Sequence, residues 1–186
     1  MNDPTKPTGS AKGASVEIVA YNPTWPEEFQ MERQALEAVL APWLVGSIEH
    51  VGSTAVPGLV AKPIIDIMVG VESLEASRDA IPAAESLQYN YWLYKAEVMH
   101  WFCKPAPNYR THHLHLVPYG SWLRKARLCF RDSLRANDLL AEEYTALKQA
   151  LAQKYRHDRE AYTDGKSGFV LSVLASQRVE PEGAEV

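Results

Sequence analysis

Two neighbouring segments hold the residues best suited to chemistry: His50-Val51-Gly52-Ser53-Thr54-Ala55-Val56-Pro57-Gly58-Leu59, then Ala61-Lys62-Pro63-Ile64-Ile65-Asp66-Ile67. A Gly52-Ser53 turn after a strand lets backbone amides and a hydroxyl come close to a phosphate, because glycine puts no side chain in the way. Gly52, Ser53 and Thr54 are therefore candidate phosphate-binding positions, with His50 a support for the turn. The alternative is an ordinary chain reversal. Asp66 lies inside an apolar run, where a carboxylate is costly unless a cation, a metal or hydrogen-bond donors meet it. A buried ion pair with Lys62 or an arginine is the other reading of Asp66.

Two residues beyond Asp66, on the same face of a strand, stands Met68, whose thioether is no ligand for a hard cation such as Mg²⁺. Alternation puts His113 and His115 together on one face of a later strand, with Leu114 and Leu116 on the other. If they face Asp66, two imidazoles with a carboxylate suit Zn²⁺, Mn²⁺ or Fe²⁺ better than Mg²⁺, or they serve as general base and phosphate donor; the other reading is that one or both are satisfied core or surface histidines. Asp66, His113 and His115 are thus the catalytic and metal candidates. Glu97 is a further acid for the metal if its strand runs beside Asp66, and otherwise a solvated glutamate.

Lys62, Lys104, Arg110, Arg131, Arg135 and Lys166 are the basic candidates for an anionic ligand. Of these, Lys62, Arg131 and Lys166 are assigned to phosphate or substrate. Arg131 has a second reading, a charge network with Asp132 on a helix surface. Asp164-Gly165-Lys166-Ser167 is not a P-loop, since the first glycine would have to stand where Glu160 does and no strand precedes it. Lys166 at a helix start can still assist phosphate binding.

The elements that must position these residues follow from pattern. Val16 to Ala20 reads as a strand, and Thr24, Pro26 and Glu27 as the start of a helix reaching Leu40 before Pro42. Strands are expected at Ser47–Val51, Ile64–Val71, Tyr91–Tyr94, Met99–Cys103 and His113–Val117. Helices are expected over Ser73–Leu87, with Pro82 a kink or early end, from Ser121 onward through two amphipathic stretches, and over Ser167–Gln177. Strands early and helices late define an α+β chain. Its single domain spans 16–178, between tails at 1–15 and 179–186 that are too polar to bury a core.

The chain has 186 residues, 46% of them hydrophobic, enough for one sizeable core. Its formal net charge of -4 argues against a dedicated nucleic-acid binder. Cys103 and Cys129 form no metal or disulfide pattern, and no apolar stretch matches a signal peptide or a membrane span. A cytoplasmic location is expected, with no membrane partner.

Taken together, H-V-G-S-T-A-V-P-G-L, A-K-P-I-I-D-I, H-H-L-H-L-V, F-R-D-x-L-R and the later Y-x-x-G-K resemble the GrpB family, from Val16 to about Ser176. The resemblance implies a nucleotidyltransferase-like mixed sheet with flanking helices. In that fold the Gly-Ser turn and an acidic strand hold a nucleoside triphosphate and divalent metals, Mg²⁺ or Mn²⁺, with Zn²⁺ favoured by the histidines. Met68 occupies the second acid's position, which argues against ordinary two-metal transfer. Three functions follow: a metal-assisted transferase acting on a nucleotide or phosphorylated small molecule, a degenerate ligand-binding accessory module, or a metal-dependent ligase or hydrolase on a small polar substrate. Relatives joined to dephospho-CoA kinase imply a CoA-linked context, without that activity.

Overall fold

The computed structural model describes residues 15–179. Apart from Ser15 and Val179, the expected tails lie outside the described residues. Strands β1 (Ile48–Val51), β2 (Ile65–Val71), β3 (Asn90–Trp92), β4 (His100–Ala106) and β5 (Tyr109–Pro118) form one sheet in the order β1-β2-β5-β4-β3. Only β2 and β5 pair in parallel, and the other neighbours are antiparallel. A parallel pair needs a long crossover, and here it runs through α2 (Ala80–Glu85) and the β3-β4 hairpin. The α+β expectation stands, with a mixed sheet.

Alternation along β2 sorts its side chains between two layers. Ile65, Ile67, Val69 and Val71 meet Trp25, Phe29, Leu36 and Leu40 of α1 (Trp25–Leu40) in the main core. Burying these faces supplies most of the stabilisation, since each large apolar side chain contributes about 1.5–3 kcal/mol. The opposite face carries Asp66 and Met68 and is covered by α3 (Trp122–Ala136), which packs across β1 and β5. Helices α4 (Asp138–Lys154), α5 (Arg159–Asp164) and α6 (Ser167–Ser176) complete that layer. Val56, Leu59, Leu134 and Tyr144 form a smaller core there, with Phe130 and Phe169 packed against it.

Three local expectations are corrected, and the two helical stretches beyond Ser121 are borne out. Val16–Ala20 makes only one bridge, Val19 to Ala61, instead of a strand. The helix expected over Ser73–Leu87 shortens to Ala80–Glu85, because Pro82 fits only the first turn, where no intrahelical amide bond is lost. Thr24 does not cap α1 with its side chain: it donates to Glu28, 2.7 Å away, while Asn22 accepts from the Thr24 amide. The helical region beyond Ser121 breaks at Asn137, whose extended backbone ends α3 and whose side chain caps α4 by accepting from the Leu140 amide at 3.1 Å. Asp158 caps α5, an element that the periodicity does not reveal, in the same way.

Candidate functional site

The parallel register of β2 on β5 places Asp66 opposite His113 and Met68 opposite His115. His113 Nδ1 lies 2.9 Å from Asp66 Oδ1, and His115 Nε2 lies 3.8 Å from the same oxygen. Each of the three side chains offers a ligand atom within 4.8 Å of the others. The predicted trio is therefore brought together by strand pairing.

Burial opposes ionisation of Asp66, but hydrogen bonding to His113 and His115 prevails and holds it well below the ordinary carboxylate range. Burial, with the charge of Arg127 added, depresses His115 to about 4. At pH 7 the carboxylate is charged and the His115 imidazole neutral. His115 Nδ1 lies 3.4 Å from Met99 Sδ; a proton on Nε2 points the ring's donor toward Asp66, whereas a proton on Nδ1 leaves the Nε2 lone pair free to ligate. The ring nitrogens His113 Nε2 and His115 Nε2 are buried without a hydrogen-bond partner among the described residues. This donor set, two imidazoles and one carboxylate, fits a divalent transition metal.

Gly52 closes the site from the β1 side. Its φ of 74° and ψ of -171° fall in a region open essentially to glycine alone, and a Cβ there would collide with the Asp66 carboxylate. Backbone and acid can touch only because residue 52 has no side chain. The turn itself is clamped: Arg135 donates to the Ala55 carbonyl at 2.7 and 2.9 Å. Thr54 is buried, donating to the Ile64 carbonyl at 3.1 Å and meeting His50 Nε2 at 3.0 Å, while His50 stacks on Phe29. The Thr54 hydroxyl therefore braces the turn, and His50 supports it as expected. Ser53, partly exposed, is the hydroxyl facing the site.

A lysine that sequence reading did not single out meets Ser53. Lys148 of α4, 1% exposed, donates to Ser53 Oγ at 3.2 Å and to the Val60 carbonyl, and lies over the Tyr144 ring. Lys62 and Lys166 both lie over the Tyr162 ring, at 5.4 and 4.5 Å from its centroid. None of the three lysines has a carboxylate within ion-pair distance among the described residues. Burial lowers them all, Lys148 to about 7 with help from the Lys166 charge, and Lys166 to about 8 with help from Lys62. Arg127, also depressed by burial, lies within electrostatic reach of Asp66. This side of the sheet thus gathers several partly or fully buried basic side chains, with Asp66 the carboxylate that Lys62, Lys166 and Arg127 sense electrostatically.

The signal for Lys148 was present in the sequence: it interrupts the apolar stripe Tyr144, Leu147, Leu151 of its helix, where a lysine must find buried acceptors. Other candidates go elsewhere. The Arg131 guanidinium is engaged by Glu49 at 2.8 Å, the His50 carbonyl at 2.9 Å and Asp132 at 2.7 Å, so it ties α3 to β1. Glu97 is exposed in the β3-β4 turn, outside the Asp66 cluster. Lys104 pairs with Glu32 away from this cluster, and Arg110 covers Trp101. Met68 is fully buried with Val51, Met99, Trp101, Cys103 and Val117, an apolar floor beneath the triad. Among the described residues no second acid joins Asp66.

Fold and site together define an α+β protein with a carboxylate–imidazole centre beside a glycine-serine turn and a lysine cluster. A family model described as GrpB protein matches residues 15–176, and the chain belongs to the GrpB family. It is 40% identical over 163 residues to a UPF0157 protein of Pseudomonas aeruginosa, covering 86% of this chain and 66% of that protein. It is 38% identical over 172 residues to the glutamate-rich protein GrpB of Alkalihalophilus pseudofirmus, covering 89% and 97% respectively. The chain thus spans just under two thirds of the first relative's length and nearly all of the second's. The crystal structure of the conserved protein GrpB from Enterococcus faecalis matches with a TM-score of 0.77 at 33% identity, over 86% of this chain and 96% of that one. A chain of the GLD-2/RNP-8 complex shares the fold alone, with a TM-score of 0.52 at 16% identity over 88% of this chain and 64% of that one. A stretch of 71 residues is 37% identical to part of the dephospho-CoA kinase of Mycolicibacterium paratuberculosis, 37% of this chain and 17% of that protein. No helix among the described residues is long and apolar enough to cross a membrane.

Proposed function

We propose that this chain is a metal-assisted, nucleotidyltransferase-like enzyme that binds the polyphosphate of a nucleoside triphosphate or a related phosphorylated molecule. The observation that carries the proposal is the convergence of Lys62, Lys148 and Lys166 beside Ser53 and Asp66 with no carboxylate in ion-pair contact among the described residues. Ammonium groups depressed by burial, and in Lys148 and Lys166 also by a neighbouring lysine, are relieved when a polyanion enters, and the net gain favours ligands with several charges over a monophosphate.

In this reading Ser53 and the amides of its turn hold phosphate oxygens, and the lysines offset charge that develops on the leaving group. Asp66, His113 and His115 hold one transition-metal ion. When bound, that ion supplies Lewis-acid polarisation of a phosphoryl oxygen. Asp66 orients His113 through their 2.9 Å contact, leaving the opposite ring nitrogen either to ligate the metal or, where Asp66 and His115 hold it, to take the proton of an attacking hydroxyl. Arg131 and Arg135 are positioning residues, acting on the turn through the His50 and Ala55 carbonyls. A second reading, a binding module without turnover, draws on Met68, whose burial in the floor leaves Asp66 without a second acid.

Calorimetry with Mn²⁺ or Zn²⁺ and ATP, GTP, CTP or UTP tests binding, and product analysis tests turnover. Release of pyrophosphate marks nucleotidyl transfer, release of phosphate marks a ligase or hydrolase, and intact ligand marks the binding module. Absence of heat with every nucleotide and with inorganic tripolyphosphate would remove the proposal.

A further inference from the structure

The β3-β4 turn stands apart from the charge chemistry. Leu93, Tyr94 and Val98 are 58%, 39% and 39% exposed, three sizeable apolar side chains within six positions. Isolated exposed apolar residues need no explanation, whereas a cluster on one turn does. It is too small to form a protein interface, which needs on the order of 800 Å² from each partner.

Its position relative to the site is specific. The Tyr94 ring meets Trp101 edge-on at 5.7 Å between centroids, and Trp101 in turn lies 5.2 Å from His113. Arg127 is within electrostatic reach of both Tyr94 and Asp66. Trp92 pairs with Trp101 across the hairpin and packs on the floor beneath the triad. Its indole N–H is buried with no acceptor among the described residues. An aromatic wall running out from His113 with a half-exposed tyrosine at its end is the feature of a subsite for a planar heterocycle.

We propose that the β3-β4 turn binds the nucleobase of the ligand whose phosphates the lysines hold, with Tyr94 stacking on the base. This rests on the polyphosphate reading of the lysine cluster, and the two separate experimentally because inorganic tripolyphosphate has no base. Stacking on an aromatic side chain is expected to account for about tenfold or more in affinity.

The experiment is calorimetry on the full chain with Mn²⁺, comparing wild type, Tyr94→Ala and Tyr94→Phe against inorganic tripolyphosphate and the tightest of ATP, GTP, CTP and UTP. Matching thermal melts of the three proteins establish that the exposed turn tolerates the changes. The expected result is that Tyr94→Ala weakens the nucleotide about tenfold and tripolyphosphate less than twofold, while Tyr94→Phe retains nucleotide affinity. A nucleotide that binds wild type no more tightly than tripolyphosphate, or an alanine variant that weakens both equally, overturns the base subsite and leaves the lysine reading intact. Tyr94-dependent nucleotide binding with no tripolyphosphate binding overturns the lysine reading instead. Failure of both ligands overturns both.

Discussion

The Lys148 ammonium reaches the Ser53 hydroxyl at 3.2 Å across 95 residues of chain, joining the middle of α4 to the turn after β1. Lys148 is depressed to about 7 by burial and by Lys166, against 10.5 for a free lysine. Between these values the unfolded chain binds a proton that the folded one does not, so its contribution makes stability rise with pH from about 7 to about 10. Urea midpoints at pH 6.5 and 9 should show this rise in wild type and a smaller one in Lys148→Met. Equal rises would mean that the ammonium is better solvated than its burial indicates.

The same titration sets the pH dependence of ligand binding. Tripolyphosphate needs the charged lysine, so its affinity should fall above pH 7 by up to about tenfold per pH unit for each linked proton. Lys166, depressed to about 8, extends the fall upward. Calorimetry from pH 6 to 9 checks this, with Lys148→Met expected to be weak throughout. Constant wild-type affinity over that range would contradict it.

Asp66, His113 and His115 should bind one equivalent of Zn²⁺ or Mn²⁺, readable by competition with a chromophoric chelator. Asp66→Asn and His115→Ala should each weaken it at least tenfold, since each removes a ligand and not merely an orienting group. A stoichiometry of two in wild type would show that acids outside the triad take part.

Much of this was legible in the sequence because it depends on local pattern. The β2 run gave a strand, its aspartate a polar intruder, and alternation put His113 and His115 on one face. Their contact with Asp66 was not, because nothing local fixes which strands lie side by side or in what register. Lys148 was obscured for a related reason: only the fold brings α4 over the turn. Arg131 and Thr54 show the converse. Their residue types suit phosphate, yet both are consumed by turn and strand contacts that depend on packing.

Gly52→Ala separates two costs that sequence reading merges. Gly52 and Gly58 both have positive φ, 74° and 78°, but a Cβ at Gly58 meets nothing within 4 Å while one at Gly52 meets the Asp66 carboxylate. Gly58→Ala should lose about 1–2 kcal/mol from backbone strain alone, with metal affinity unchanged. Gly52→Ala should lose more and also weaken metal binding, because Asp66 must move. Equal stabilities and equal metal affinities would show that the acid and the turn are not in contact.

Met68→Asp asks whether the absent acid can be restored. A two-metal reading of the strand predicts a second metal equivalent, because residue 68 lies on the Asp66 side of β2. The apolar floor predicts otherwise. Position 68 is fully buried among Val51, Met99, Trp101, Cys103 and Val117, with the neutral His115 opposite it across the strands and no cation to pair a carboxylate among these neighbours. A lone buried charge there should cost about 3–5 kcal/mol, or lead the group to take up a proton, whereas Met68→Leu should cost less than about 1.5 kcal/mol. Chemical denaturation with metal titration decides: marked destabilisation and unchanged stoichiometry follow if the floor is structural, while a stable variant binding two ions would show that position 68 opens onto the metal and that one residue separates this centre from a two-metal one.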